Sequence, residues 1–414
     1  MADAIRVGVV GVGRGKSFMR AAAPVGMELV AICDTWEERL DAVAKELEVA
    51  SYTDYDEFLT HDMDAVVLAN FFHEHAPFAI KALDAGMHVM SECAACHTLA
   101  EGVELCRKVE ETGLAYYFAE NYPYSAANQE MARLFQEGEI GDFTYGEGEY
   151  VHPDPAAVKM ARSCGYNHWR NWIPATYYCT HSLGPVMAIT GTTPVKVNGF
   201  VVPYDENDAT QTMTVRRFDT GCIILYRMDN DAVVKCIHGQ FRGHGSCVRI
   251  HGNQGLMETV RGGADKGALR LAHDAWELKE GQVAEKVYRP DFPVHHDLAT
   301  KAGHGGGDFF TCYNFANAIR TGEPAFMDVY RGVTMSIAGI QAWRSAINDS
   351  DPVEIPDFRD EAVRKQYEND DWSPDPTRDT PHRVPTNIGD EITPTPEGIA
   401  FARKVWTEKG YCGE

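Results

Sequence analysis

Two groups of residues in this sequence have types and spacings that bear on chemistry. The first is Gly11-Val12-Gly13-Arg14-Gly15-Lys16, which breaks a short apolar run, Ile5-Arg6-Val7-Gly8-Val9-Val10, and leads into Ser17-Phe18-Met19-Arg20-Ala21-Ala22-Ala23. The pattern predicts strand, tight turn and helix. Gly11 permits the turn, Gly13 lets backbone amides approach a pyrophosphate, and the amino end of the helix meets that charge with unpaired N–H groups. The third glycine of a GxGxxG pattern is displaced, with Gly15 one place early and Lys16 in its position. Glycine turns also close ordinary core strands, and Asp34 is what separates the two cases. It ends a second apolar run, Leu29-Val30-Ala31-Ile32-Cys33, at the distance of about 20 residues expected of a ribose-binding acid. An acid there repels a 2′-phosphate and so favours NAD over NADP.

The second group is Tyr178 and His181, which share one face if a helix begins there. Histidine moves protons near neutral pH, whereas tyrosine, with an ordinary pKa of about 10, needs a neighbouring cation to act as a base. Taken without other context, such a pair is more often a packing and hydrogen-bonding pair than a catalytic one. Upstream, Asn167-His168-Trp169-Arg170-Asn171-Trp172 sets an arginine between two tryptophans, suited to a polar ligand or to an aromatic core.

Positioning these groups takes a regular scaffold. Residues 36–49 have helical spacing, residues 64–69 form a third buried strand, and a helix through Leu83 stops at Gly86 before the strand Met87-His88-Val89-Met90. This alternation predicts an α/β fold with a doubly wound parallel sheet of the Rossmann type, whose ligands lie beyond the carboxyl ends of the strands. Asn70, Glu92 and Glu120-Asn121 are therefore the strand-end residues placed for cofactor contact. His75 can equally cap or pack against its helix. From Tyr145 onward the texture changes: residues 195–202, 210–217, 221–228, 233–238 and 247–251 alternate apolar and polar side chains. They predict an α+β domain with an open, mainly antiparallel sheet, half exposed. Helices follow at 308–320 and 328–347, and the tail from Asp349, rich in Pro, Asp and Glu, is expected to wrap the surface with little regular structure. The domains expected are 1–122 for NAD, 123–350 for substrate and oligomerisation, and 351–414 as the extended tail.

The totals narrow the partner. The 414 residues suffice for two cores, and 44% hydrophobic with 24% charged residues is an ordinary globular profile. A net charge of −23 repels nucleic acid and anionic membranes, which points to a small molecule. No apolar run reaches the length of a membrane span, and no basic segment leads an apolar one at the amino terminus, so a cytoplasmic protein is expected. The 11 cysteines are scattered, as free thiols in a reducing compartment would be. Cys93 and Cys96 make one isolated CxxC, and a structural zinc site needs two more ligands at regular spacing, so no metal is expected.

A Rossmann half followed by an open antiparallel sheet, with Ala82-Leu83-Asp84-Ala85-Gly86-Met87-His88-Val89 between them, resembles the Gfo/Idh/MocA superfamily over nearly the whole chain. Ordinary members continue with Glu-Lys-Pro, and that lysine polarises the substrate hydroxyl. Here the residues are Glu92-Cys93-Ala94, and a thiol cannot replace an ammonium that holds a hydroxyl and shuttles its proton. The Asp that ordinary members carry four residues before a histidine is Tyr177 in this chain. Several ordered blocks instead resemble the NAD-dependent glycoside hydrolases, in the α-N-acetylgalactosaminidase-like branch that has sulfoquinovosidases among its relatives. They are Tyr178 with Thr180-His181-Ser182-Leu183-Gly184-Pro185-Val186, Glu120-Asn121-Tyr122-Pro123-Tyr124, Gly146-Glu147-Gly148-Glu149-Tyr150-Val151-His152, and Gly303-His304-Gly305-Gly306-Gly307-Asp308. Met327-Asp328-Val329-Tyr330 and Pro356-Asp357-Phe358 extend the match, while that branch's Glu-Val-Pro is met only at Glu92.

The resemblance implies redox-neutral chemistry on a carbohydrate or glycoside. Bound NAD takes hydride from C3 of a pyranoside, a base removes the acidified C2 proton, the aglycone leaves, water adds, and the hydride returns. It implies His181 for proton transfer at C3 or C2, Tyr178 as its partner, and Tyr124 as a third catalytic member with Tyr122 its rival. Gly11, Gly13, Arg14, Gly15, Lys16, Asp34, Asn70, His75, Glu92, Asn121, Trp169 and Arg170 are the expected cofactor residues. Tyr122, Tyr150, His152 and His304 are expected at the substrate, although His304 can simply start the helix that Asp308 opens. A homodimer or homotetramer is expected by resemblance. The alternatives are a sugar dehydrogenase that releases reduced cofactor and a non-catalytic NAD-binding sensor.

Overall fold

The computed structural model describes residues 4–243 and 245–413. Six parallel strands, β1 (Ile5–Val10), β2 (Met27–Cys33), β3 (Ala50–Tyr52), β4 (Ala65–Leu68), β5 (His88–Ser91) and β6 (Tyr116–Phe118), form a sheet in the order β3-β2-β1-β4-β5-β6. The order reverses between β1 and β4, which opens a crevice beyond their carboxyl ends. Helices α1 (Lys16–Ala22), α2 (Glu37–Leu47), α3 (Tyr55–Phe58), α4 (His75–Asp84) and α5 (Leu99–Thr112) cross between strands. The last begins with a reciprocal cap, Thr98 accepting from the Glu101 amide while the Glu101 carboxylate accepts from the Thr98 amide.

Helix α6 (Ala126–Gln136) leads to the second sheet. Its strands are β7 (Phe143–Val151), β8 (Pro194–Val202), β9 (Gly221–Met228), β10 (Val233–Gly239), β11 (Gly245–Gly252), β12 (Leu256–Thr259), β13 (Leu269–Ala272), β14 (Glu285–Tyr288) and the short β15 (Val353–Glu354), in the order β14-β13-β12-β11-β7-β10-β9-β8-β15. Every pairing is antiparallel except β10 with β7. β9 alternates buried and exposed residues, leaving Ile223 and Leu225 on the open face, so the sheet is covered on one side only. The covering helices are α8 (Thr180–Thr190) and α12 (Val329–Ala346). They approach closely because glycines face them: a Cβ on Gly148 would lie 1.8 Å from the Ser182 carbonyl oxygen, and one on Gly199 2.1 Å from that of Ala342. Helix α12 also packs on β6, where a Cβ on Gly332 would meet Phe118 at 2.8 Å, so a single apolar core runs through both sheets. Helix α11 (Gly307–Thr321) packs against α1 and brings its first turn to the crevice.

Two segments differ from the sequence-based expectation. Residues 210–217 do not form a strand: Asp208 accepts from the Thr210 amide and starts the single turn α9 (Ala209–Thr212). Alternation of Thr with Gln, Met and Val imitates a strand, but a capping aspartate ahead of it competes locally. The tail is also more regular than its composition implies. It contains α13 (Glu361–Tyr367) and the 13-residue α14 (Pro396–Glu408), and α14 buries Ala402, Val405 and Trp406 with Met160 of α7 (Ala156–Arg162) and Val215 in a separate small core. Thr395 as cap and Pro396 in the first turn are an ordinary helix start. Short α10 (His296–Ala299) completes the set. Among the described residues no helix is long and apolar enough to cross a membrane, and the cysteines are free thiols.

Candidate active site

The turn after β1 is shaped by what side chains would collide with. Gly11 has φ +88°, and a Cβ there would sit 2.3 Å from the Ala69 carbonyl oxygen; one on Gly15 would sit 2.4 Å from the carbonyl oxygen of Gly11. Gly15 thus makes the close approach although it comes one place early. Asp34, at the end of β2, accepts from the Val12 amide at 2.8 Å and from the Trp36 amide at 2.9 Å. Its carboxylate is thereby fixed beside the turn. A glycine cradle opening into α1, with an oriented acid at the end of the adjacent strand, fits a dinucleotide. Arg39 reaches over the turn, 3.3 Å from the Cβ position of Gly13, and was not singled out in the sequence.

Charged side chains close the other edge of the crevice. Arg14 donates to Glu92 at 2.5 Å and through two nitrogens to Asp308 at 2.7 and 3.0 Å. Asp308 also accepts from Asn121 at 3.1 Å and lies 2.9 Å from His304 Nδ1. Burial opposes the charge on Asp308, but His304 and Arg14 outweigh it and hold the carboxyl well below its usual range. Burial likewise opposes the Arg14 charge, and Glu92 with Asp308 raises its pKa further above the ordinary value. Asp308, at the first turn of α11, therefore ties the β1 turn to the ends of β5 and β6. Of the other residues expected at the cofactor, Asn70 donates to Glu74 at 3.2 Å while its oxygen is buried without a partner. Lys16 extends 3.7 Å from Glu46, on α2. His75 is buried beneath the 92–94 loop, with Nδ1 2.8 Å from the Ala94 carbonyl oxygen, and burial lowers its pKa.

Beyond β6 lies a second constellation. His181, in the first turn of α8, sets Nδ1 2.8 and 2.9 Å from the two oxygens of Glu120, which is fully buried. Glu120 Oε1 also accepts from the Tyr122 amide at 3.1 Å, and Oε2 from the Cys93 thiol at 3.2 Å. Burial pushes the Glu120 pKa up, but His181 and the Tyr122 amide are among the groups that prevail, so the net shift is downward. Burial raises the Cys93 thiol well above its ordinary value, which keeps it a donor. Gly184 is what admits Glu120 against the helix, since a Cβ there would meet the Glu120 side chain at 2.8 Å. Three half-buried tyrosines surround the imidazole, with ring centroids 4.5 Å (Tyr122), 4.8 Å (Tyr150) and 4.9 Å (Tyr178) away. Behind them, His238 of β10 stacks on Tyr150 at 5.5 Å with Nδ1 2.9 Å from the Ala175 carbonyl oxygen, and burial pushes its pKa down to about 3.

The pair expected from the sequence is thus side by side. Tyr178 closes a short 3-10 turn (Ala175–Tyr178) and α8 starts two residues later. Arg170 lies 5.6 Å from the Tyr178 ring and 4.2 Å from that of Trp169, and Trp169 stacks on Phe72. Arg170 lowers the Tyr178 pKa, but burial is the larger effect and leaves it above the ordinary value. Tyr124, the third catalytic candidate, is placed elsewhere. It accepts from the Tyr117 hydroxyl at 2.8 Å and stacks near Phe310 of α11, whereas its rival Tyr122 meets His181. The cause is the 3-10 turn Tyr122–Tyr124, in which residues two apart point a third of a turn away from each other. Tyr150 and His152 sit at the end of β7, with His152 3.4 Å from Asp154. His304 serves Asp308. Glu120 as orienting acid, Cys93 and His238 escaped assignment; the signal for Glu120 was its place at a strand end, while His238 gave none beyond an ordinary strand position.

Residues 5–120 match the oxidoreductase family with the NAD-binding Rossmann fold, and residues 205–365 match the C-terminal domain of glycosyl hydrolase 109. A glycosyl hydrolase family 109 protein of Saccharopolyspora erythraea is 28% identical over 392 residues, covering 86% of this chain and 83% of its own length. One of Shewanella baltica is 23% identical over 397 residues, covering 86% and 85%. Among solved structures, a levoglucosan dehydrogenase in complex with NADH and L-sorbose superposes with a TM-score of 0.70 at 18% identity, over 86% of this chain and 99% of that one.

Proposed function

We propose that this chain, which belongs to the Gfo/Idh/MocA oxidoreductases and carries the C-terminal domain of glycosyl hydrolase family 109, cleaves a pyranoside through transient oxidation at C3, with His181 as its proton carrier. The family makes it an NAD-dependent glycosidase or sugar dehydrogenase. The choice between the two rests on one observation. A histidine held by a fully buried glutamate stands among three tyrosines, with a thiol on the glutamate where the Glu-Lys-Pro pattern puts an ammonium.

NAD, when bound, accepts the C3 hydride and later returns it. Gly11, Gly13 and Gly15 would shape its cradle and Asp34 would hold its ribose. Because Glu120 engages Nδ1, His181 presents Nε2 to the sugar, and the carboxylate stabilises the imidazolium that forms as a proton is taken. The proton comes first from the C3 hydroxyl and is passed to solvent, which frees the imidazole to take the C2 proton once C3 is a ketone; that second proton goes to the departing aglycone oxygen. Tyr178 is kept protonated by burial, so it donates to the C3 oxygen rather than acting as a base. Loss of the C2 proton expels the aglycone from C1; water adds at C1, C2 regains a proton, and the ketone is reduced. Trp169 with Arg170, Tyr150 and His152 form the wall against which the sugar lies.

An aryl glycoside panel tests the reading, with aglycone release and reduced-nicotinamide absorbance followed together. Release without net reduction, and solvent deuterium at C2 of the product, are expected. Stoichiometric reduction without release makes the enzyme a dehydrogenase and removes the elimination step.

A further inference from the structure

We infer that Cys93, Glu120 and His181 form a binding site for a borderline-soft divalent cation of the zinc class. One sulfur, one carboxylate oxygen and one imidazole nitrogen, all buried, lie within 4.8 Å of one another. The thiol is 3.2 Å from Glu120 Oε2, and His181 Nδ1 is 2.8 Å from Oε1. Four-coordinate zinc, with bonds of about 2.0–2.3 Å to such donors, needs neighbouring ligands only a few tenths of an ångström further apart than these contacts.

Three features favour a cation here over a hydrogen-bonded cluster alone. The donors come from the loop after β5, the end of β6 and the first turn of α8, three elements fixed independently by the core. Thiolate, carboxylate and neutral imidazole carry two negative charges, so a divalent ion leaves the buried site neutral. Thr180 Oγ1, fully buried and next to His181 in the chain, has no hydrogen-bond partner. The mixed sulfur, nitrogen and oxygen set selects zinc or cobalt over magnesium or calcium, which take oxygen. Cys96, the other half of the CxxC, takes no part and packs at 3.2 Å from the Cβ position of Gly102.

Three protein ligands leave one position for water. The bound ion takes Nδ1 from Glu120. If the proposed glycosidase reaction is correct, metal loading therefore uncouples the proton carrier from its carboxylate and turnover falls.

The test uses the full chain titrated with Co²⁺, and separately with Zn²⁺ in competition, in the absence of substrate. Saturation near one ion per chain is expected, with visible absorbance typical of four-coordinate cobalt and a thiolate-to-cobalt charge-transfer band in the near ultraviolet. Cys93→Ser should abolish that band and weaken binding more than tenfold, while Cys412→Ser, at the exposed thiol, should change neither. NAD binding by the Cys93→Ser chain checks that it is folded. Absence of saturable binding, or a band that survives Cys93→Ser, overturns the proposal. Because the readout needs no sugar, it stands or falls separately from the glycosidase reading.

Discussion

The two ends of the crevice are held by opposite means. At the cofactor end, shape comes from backbone: glycines that exclude side chains, amides of Val12 and Trp36 fixing Asp34, and an Arg14–Asp308–Glu92 network whose members are all charged. At the chemical end, shape comes chiefly from side chains, with His181, Glu120, Tyr122, Tyr150, Tyr178 and His238 drawn from four separate stretches of chain. The first arrangement tolerates a passing ligand because its polar groups are already paired. The second concentrates titratable groups in a poorly solvated place, where small changes alter protonation.

If the ends are independent, changes at one should leave the other intact. His181→Ala should lower glycoside turnover by about 10³-fold, within the range for a lost general acid–base group, with NAD affinity by titration calorimetry unchanged. Glu120→Gln keeps shape but not charge, and the expected loss is about 10²-fold with a shifted pH–rate profile. Parallel loss of NAD binding in either variant would show that the chemical end props up the cofactor end.

The reverse probe is Asp34→Ala. It removes two charge-assisted hydrogen bonds and the ribose acid, so NAD affinity should fall by about tenfold or more, with discrimination against NADP relaxed. At saturating NAD the turnover number should stay near that of the parent. A collapse of turnover at saturation would contradict the separation.

Acid should dismantle the ends in sequence. The folded pKa of His238, pushed down to about 3 by burial, lies below its unfolded value of about 6.5, so the unfolded chain binds the extra proton between those limits. Stability is therefore lost as pH falls from about 6.5, by at most about 1.4 kcal/mol per pH unit for this group. Asp308 has the same sign over a lower range of pH. Its depressed folded pKa gives stability that is complete above its unfolded value of about 3.9 and is lost only below it. Thermal unfolding across pH 7 to 3 should show the loss near pH 6 flattened in His238→Gln and the later one flattened in Asp308→Asn.

This contrast also explains what was legible in the sequence. The cofactor end is encoded locally: Gly11 to Lys16 are contiguous, Asp34 lies one strand later, and the periodicity that predicts those strands is the periodicity that packs them. The chemical end is encoded by long-range packing. Nothing near residue 120 announces that Gly184, in another element, leaves room for its carboxylate, or that Gly148 brings β7 onto α8 so that Tyr150 reaches His181. Tyr178 and His181 were visible because one turn of chain joins them; His238 was not, because its partner Tyr150 lies on a neighbouring strand. The tail helix α14 was obscured by the prolines and acids around it, although Thr395 and Pro396 mark its start.

The smallest expected effect is the sharpest test of how finely the chemical end is drawn. Tyr122 and Tyr124 differ by one proline in sequence and have similarly raised pKa values, each pushed up to about 12 chiefly by burial. Chemistry of the side chain therefore does not distinguish them; only direction does. Tyr122 faces His181 at 4.5 Å, whereas the Tyr124 hydroxyl is occupied by Tyr117 on the α11 side. Tyr124→Phe should leave kcat within about twofold and cost roughly 1 kcal/mol of stability, the usual worth of one buried hydrogen bond. Tyr122→Phe should lower kcat by about tenfold with little change in stability, because the ring stays and only the hydroxyl is lost. Equal effects on kcat would mean that the boundary of the chemical end runs through the 3-10 turn and not along it.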